Sequence, residues 1–80
     1  MVKKLKVLVV GTGFAGKGHV QAFRAAGAEI VGMVGRTPDV VEQVGQSLDI
    51  PVTGTDLEHA LAVLKPDIVS VATPGGAHFD

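Results

Sequence analysis

Apolar residues along this chain fall alternately into short continuous runs and into stripes with helical spacing. Continuous runs are typical of strands in a buried parallel sheet, whereas stripes at intervals of three and four residues predict amphipathic helices. The pattern predicts strands over residues 4–10, 29–34, 50–52 and 67–72, separated by helices over residues 14–26, 38–48 and 56–64.

The ends of the predicted helices carry local signals. Gly27 suits the left-handed residue that closes the first helix, and Thr37 is a good N-cap for the second. Thr55 and Glu58 have the spacing of a capping box at the start of the third helix. The predicted inner stripes are His19, Val20, Phe23 and Ala26 in the first helix, Val40, Val41, Val44 and Leu48 in the second, and Leu57, Ala60, Leu61 and Leu64 in the third.

Alternating strands and helices imply a parallel sheet with right-handed crossovers. The predicted fold class is α/β, a three-layer doubly wound parallel sheet of the form β-α-β-α-β-α-β, with the spatial strand order 3-2-1-4. Pro51 fits an edge position for the third strand, because proline cannot donate to a ladder. Such sheets bind ligands at the carboxyl ends of the strands, here between strands one and four.

Three glycines follow the first apolar run. Gly11, Gly13 and Gly16 form G-x-G-x-x-G between a predicted strand and a predicted helix, the context of a dinucleotide-binding turn. Gly11 allows the tight turn, Gly13 lets a pyrophosphate approach the backbone, and Gly16 lets the helix lie close to the strand. The free N–H groups at the helix start would face the phosphates. The alternative is a glycine-rich turn that binds nothing.

The same residues also fit a second motif. Gly11 to Lys17 satisfies G-x-x-x-x-G-K, the beginning of a P-loop. The next residue is Gly18, where a P-loop needs a hydroxyl group to hold Mg²⁺. We therefore disfavour an NTPase and expect Lys17 to lie on the surface of the first helical turn.

The segment after the second strand, Gly35-Arg36-Thr37, lacks the acidic residue that often binds the adenosine ribose roughly 20 residues past the turn. Gly35 removes a carboxylate that would repel a 2′-phosphate, Arg36 supplies a guanidinium group suited to phosphate, and Thr37 adds a hydroxyl group. This segment favours NADP(H) over NAD(H). The alternative is that Arg36 is solvated and Asp39 binds the ribose, and use of both cofactors stays open.

Composition narrows the functional classes. A chain of 80 residues is one domain at most, and its net charge of −1 favours neither nucleic acid nor an anionic membrane as a partner. The absence of cysteine excludes disulfides and thiolate chemistry. No apolar run approaches the ~20 residues of a membrane span, and we predict a cytoplasmic protein.

The three histidines lie far apart in sequence and lack the spacing of metal ligands, so no metal site is predicted. We predict a hydrogen-bonded packing role for His19 and a solvent-facing side chain for His59. His78 follows the fourth strand, at the edge where cofactor and substrate would meet.

The segments GTGFAGKGHVQAF, VGMVGRTPD and DIVSVATPGGAH resemble the amino-terminal half of the Gfo/Idh/MocA oxidoreductases. The resemblance covers nearly the whole chain and implies that residues 1–80 are part of a Rossmann domain that binds NAD(P)(H). Its markers are His19, three residues after Gly16, and Ala72-Thr73-Pro74 followed by His78. The predicted cofactor-binding residues are Gly11, Thr12, Gly13, Phe14, Ala15, Gly16, Gly35, Arg36, Thr37, Ala72, Thr73, Pro74 and His78.

The resemblance also implies hydride transfer to or from a sugar or polyol-type substrate. The family's acid–base lysine, in a Glu-Lys-Pro motif, and its substrate domain would fall past Asp80. We therefore expect the 80-residue chain to be a fragment of the domain that catalyses nothing alone, and expect the outer edge of strand four to pair with a second copy. The alternative is a non-catalytic module for nucleotide sensing or protein interaction.

Overall fold

The computed structural model describes residues 4–72, in which four strands alternate with three helices. The strands form one parallel sheet in the order β3-β2-β1-β4, which confirms the predicted fold class and strand order. The elements are β1 (Lys6–Val10), α1 (Phe14–Ala25), β2 (Glu29–Val34), α2 (Pro38–Ser47), β3 (Thr53–Gly54), α3 (Leu57–Leu64) and β4 (Ile68–Val71).

The helices cover the two faces of the sheet unequally. Val20 of α1 and Val41 of α2 belong to one buried cluster with Val7 and Val9 of β1, so α1 and α2 share a face. Ala60 of α3 packs with Leu8 and Val34 on the opposite face. Because side chains alternate along a strand, β1 contributes apolar residues to both layers.

The pairing of β1 with β2 contains an irregularity. Val7 pairs with Ile30 but Leu8 pairs with Gly32, which leaves Val31 without a partner residue in β1. An extra residue of this kind shifts the alternation of side chains. Ile30 and Met33 consequently belong to the same buried cluster although they are three residues apart.

The start of β1 is fastened to the start of β4. The Lys6 N–H donates to Asp67 Oδ2 at 2.8 Å, and the Asp67 N–H donates to the Lys6 carbonyl oxygen at 2.8 Å. These two bonds align the outer strand β4 with the central strand.

The third strand differs from the prediction. Residues 50–52 precede β3, which is the two-residue strand Thr53–Gly54 at the edge of the sheet. The Ile50 N–H donates back to the Gly45 carbonyl oxygen of α2 at 2.8 Å, and Pro51 has no N–H. The ladder with β2 therefore begins only with the Val52 carbonyl oxygen, which accepts from the Met33 N–H at 2.9 Å.

The helix boundaries agree with the predictions within one residue, apart from the cap of α3. The predicted Thr55–Glu58 capping box is wrong, because Asp56 is the N-cap and its Oδ1 accepts from the His59 N–H at 3.1 Å. Gly27 has the left-handed φ of 91° expected after α1.

The predicted stripes are only partly buried. Val20, Val41 and Ala60 are buried, whereas the predicted inner residues Ala26, Val40, Leu57 and Leu61 are exposed. Ala26 is the C-cap that follows α1, and in α2 and α3 part of each predicted stripe stays exposed to solvent.

Candidate functional site

The candidate residues meet at the carboxyl edge of the sheet. The Gly11 N–H donates to the Val34 carbonyl oxygen at 2.8 Å, which joins the turn after β1 to the end of β2. The Ala72 N–H donates to the Val10 carbonyl oxygen at 2.7 Å on the other side of β1. The glycine turn therefore lies between the loop that leads into α2 and the buried residue that follows β4.

Two of the three motif glycines are required by the fold itself. Gly11 has a φ of 123°, a conformation that side chains disfavour. Gly16 is buried in α1, where an added Cβ would collide with the Gly11 carbonyl oxygen. The roles predicted for these glycines, a tight turn and a close approach of helix to strand, agree with this geometry.

Gly13 differs from both. It is the N-cap of α1 with extended backbone, φ −75° and ψ −164°, which any residue adopts. An added Cβ would meet no atom within 4 Å. Neither conformation nor packing requires glycine there, so the space next to the exposed Gly13 is open.

The first turn of α1 carries no acidic residue, so no side-chain charge offsets the positive end of its dipole. Phe14 begins the helix, and Ala15 and Lys17 are exposed. Lys17 is on the surface of that turn, as predicted. Gly18 is exposed as well, so the position where a P-loop needs a hydroxyl group has none.

The loop between β2 and α2 contains the predicted specificity residues. Gly35 is half-buried and its N–H donates to the Gly54 carbonyl oxygen at 3.0 Å, whereas Arg36 is exposed. Thr37 is the N-cap of α2, as predicted, but its hydroxyl group makes no capping hydrogen bond. Asp39 lies in the first turn of the same helix. The residues of both alternatives, Arg36 for a 2′-phosphate and Asp39 for the ribose, are therefore at the start of α2.

A polar contact connects α1 to β4 close to this edge. His19 Nδ1 lies 2.6 Å from Ser70 Oγ, so His19 has the hydrogen-bonded packing that the sequence predicts. Sequence reasoning missed Ser70, which is buried and lies opposite Val9 in the sheet. Its signal was a single hydroxyl group inside an otherwise apolar strand. His59 is exposed, as predicted.

Three predicted binding residues, Thr73, Pro74 and His78, lie outside the described residues. Within residues 4–72, no group of three or more acidic, histidine or cysteine side chains is arranged to hold a metal ion. No helix in that same range is long and apolar enough to cross a membrane.

Comparison with known proteins agrees with the resemblance seen in the motifs. A family model described as an oxidoreductase family with an NAD-binding Rossmann fold matches residues 5–80. A search of curated proteins finds no match to the chain.

Proposed function

The chain belongs to the Gfo/Idh/MocA oxidoreductase family and carries its NAD-binding Rossmann fold, and we propose that it binds NADP(H) in preference to NAD(H), on the evidence of its own loop after β2. The cofactor lies along the carboxyl edge of the sheet, across the glycine turn and the loop between β2 and α2. Residues 1–80 act as the cofactor-binding unit of an enzyme that transfers hydride.

The observation that carries this proposal is the open volume above Gly13. Nothing lies within 4 Å of a Cβ built there, although the neighbouring motif glycines are fixed by conformation or by contact. A pyrophosphate in that volume would face the first N–H groups of α1 and the positive end of its dipole. Thr12, Phe14 and Ala15 bring their backbone to the same turn.

The preference for NADP(H) rests on the loop after β2. Gly35 carries no carboxylate, and the exposed Arg36 has a guanidinium group that is free to turn toward a 2′-phosphate. The Thr37 hydroxyl group, which is not used in capping, is a second donor. Asp39 is the opposing charge, and its substitution by Asn is expected to strengthen NADPH binding.

When bound, the nicotinamide would donate a hydride to the substrate in its reduced form or accept one from the substrate in its oxidised form. The residues of this chain bind and orient the cofactor. By the family resemblance, Thr73 and Pro74 border the nicotinamide side, and the substrate is a sugar or a polyol. Ala72 and His78 are further residues that we propose to contact the cofactor.

The experiment is a fluorescence titration of NADPH and NADH into the chain at low salt, with matched glycine variants. Gly13→Ala is expected to weaken both cofactors by about tenfold or more, because the methyl group occupies the phosphate volume. Gly18→Ala is the control, because its Cβ also meets nothing within 4 Å, but one turn further along α1. It should bind both cofactors normally.

Arg36→Ala tests the cofactor preference separately. It should weaken NADPH about 10- to 100-fold and leave NADH unchanged, since charge-assisted hydrogen bonds to the 2′-phosphate are lost. Equal binding of both cofactors by the unmodified chain would refute the preference for NADP(H) but not the dinucleotide site. Binding of neither would refute the site.

We further propose that β4, the outer strand of the described sheet, pairs with β4 of a second copy. Its support is that β1 is the one neighbour of β4 among the described residues, and an unpaired strand edge presents N–H and carbonyl groups to another strand. Sedimentation should show dimer formation that rises with concentration, and Val71→Lys should suppress it. A monomer at all concentrations would exclude this pairing.

A further inference from the structure

The side chain of Thr12 covers Gly35. A Cβ built on Gly35 would lie 2.7 Å from Thr12 Cγ2 and 3.2 Å from Val41 Cβ. Ordinary contacts between carbon atoms are about 3.5–4.0 Å, so a side chain at position 35 has no room in this arrangement.

The two neighbours differ in their freedom to move. Val41 is 1% exposed and belongs to the buried cluster beneath α2, so it is fixed by packing on all sides. Thr12 is half-buried and lies in the turn itself. A side chain at position 35 would therefore displace Thr12 first. The backbone before Thr12 is held by the Gly11 N–H bond to the Val34 carbonyl oxygen.

We infer that Thr12 is a specificity-determining residue, because its methyl group keeps position 35 free of a side chain. Position 35 directly follows β2, where an acidic residue of an NAD-binding site would stand. Thr12 and Gly35 thus act as one unit, in which the glycine turn itself disfavours a ribose-binding carboxylate. This inference rests on the proposed cofactor site and adds a residue that determines its specificity.

The consequence is that a single substitution does not convert the cofactor preference. Gly35→Asp alone introduces the carboxylate, but its Cβ collides with Thr12 Cγ2, which has to move to make room. Thr12→Ser removes only the methyl carbon that stands closest to position 35. Thr12→Val keeps a methyl group there and removes the hydroxyl group, so it is the matched control.

The test compares NADH binding by Gly35→Asp alone and by Gly35→Asp combined with Thr12→Ser or with Thr12→Val. The Ser double variant should bind NADH about tenfold more tightly than the single variant, a coupling typical of residues in contact. The Val double variant should bind no more tightly than the single variant. Equal NADH affinity in the single and Ser double variants would overturn the inference, as would an equal gain with Val.

A second measurement needs no cofactor and separates this inference from the proposed function. Gly35→Ala adds the Cβ alone and should lower the thermal unfolding midpoint, and Thr12→Ser should restore most of the loss. If the chain binds neither dinucleotide, the proposed function fails while this contact is still tested. If Thr12→Ser restores nothing, the contact does not constrain position 35 and the inference is wrong.

Discussion

The two faces of the sheet are packed differently. Among the described residues, eight buried side chains form one cluster on the face covered by α1 and α2, whereas the cluster under α3 has three. A cavity of about 160 Å³ lies beneath α3, and Val63 of that helix is 61% exposed. The denser cluster contains most of the apolar burial that holds the described residues together.

The difference coincides with the position of the candidate site. α1 begins at the glycine turn and α2 begins at the loop with Arg36, so both helices of the dense face start at the carboxyl edge of the sheet, where the candidate site lies. A binding site keeps its geometry when its supporting elements are held by tight packing. The dense packing thus supports the turn that we propose binds phosphate, and the sparse packing lies on the opposite face of the sheet.

Among the substitutions that compare the stability of the two faces, the largest loss is expected at Met33, which is 1% exposed and belongs to the dense cluster. Met33→Ala should lower the free energy of unfolding by about 2–5 kcal/mol through lost burial and the cavity left behind. Urea denaturation measures it. Val69→Ala is the control, because Val69 is 39% exposed on β4, and it should cost under about 1 kcal/mol. Similar losses in both variants would show that the two faces contribute alike.

A smaller effect is expected from the polar contact within the dense face. Ser70→Ala removes the hydrogen-bond partner of the His19 ring and should cost about 0.5–1.5 kcal/mol. A double-mutant cycle with His19→Ala, measured by urea denaturation, isolates the pair. Fully additive losses would mean that the contact contributes nothing beyond the packing of each side chain.

The smallest effect is expected on the sparse face. Val63→Lys replaces an exposed apolar side chain of α3 and should change the free energy of unfolding by no more than about 0.5 kcal/mol. The same denaturation experiment measures it. A loss above about 2 kcal/mol would contradict the description of this face, because a loss of that size is typical of a buried apolar side chain.

The sequence predicted the strand order and most helix boundaries because they depend on local periodicity and on residues with strong conformational preferences. Gly27 and Pro38 are examples, and both stand at the helix ends where they were expected. The prediction from sequence was wrong for the bounds of β3. Ile50 is buried in the core, but its N–H donates back to α2 and not to a neighbouring strand. Hydrophobicity alone cannot distinguish a buried loop residue from a strand residue.

The candidate site, like the fold, was predictable only where it depends on local sequence. The glycine motif could be recognised because its spacing along one strand–turn–helix unit is a local property. The contact between Thr12 and position 35 and the contact between His19 and Ser70 join residues far apart in sequence. The irregular pairing at Val7 and Leu8 likewise appears only when two strands meet. Such features depend on tertiary structure and leave no periodic signal.

The paired hydrogen bonds between Lys6 and Asp67 have a kinetic consequence. They join residues 61 positions apart, and β1 is flanked on that side by the last described strand. Parallel pairing over such a separation is slow, because the entropy of closing a long loop is lost before the contacts between the strands can form. During synthesis β1 would emerge before both of its neighbours, and β2 would be available for pairing before β4. The carboxyl edge between β1 and β4, where we propose that the cofactor binds, would therefore form only after β4 has paired.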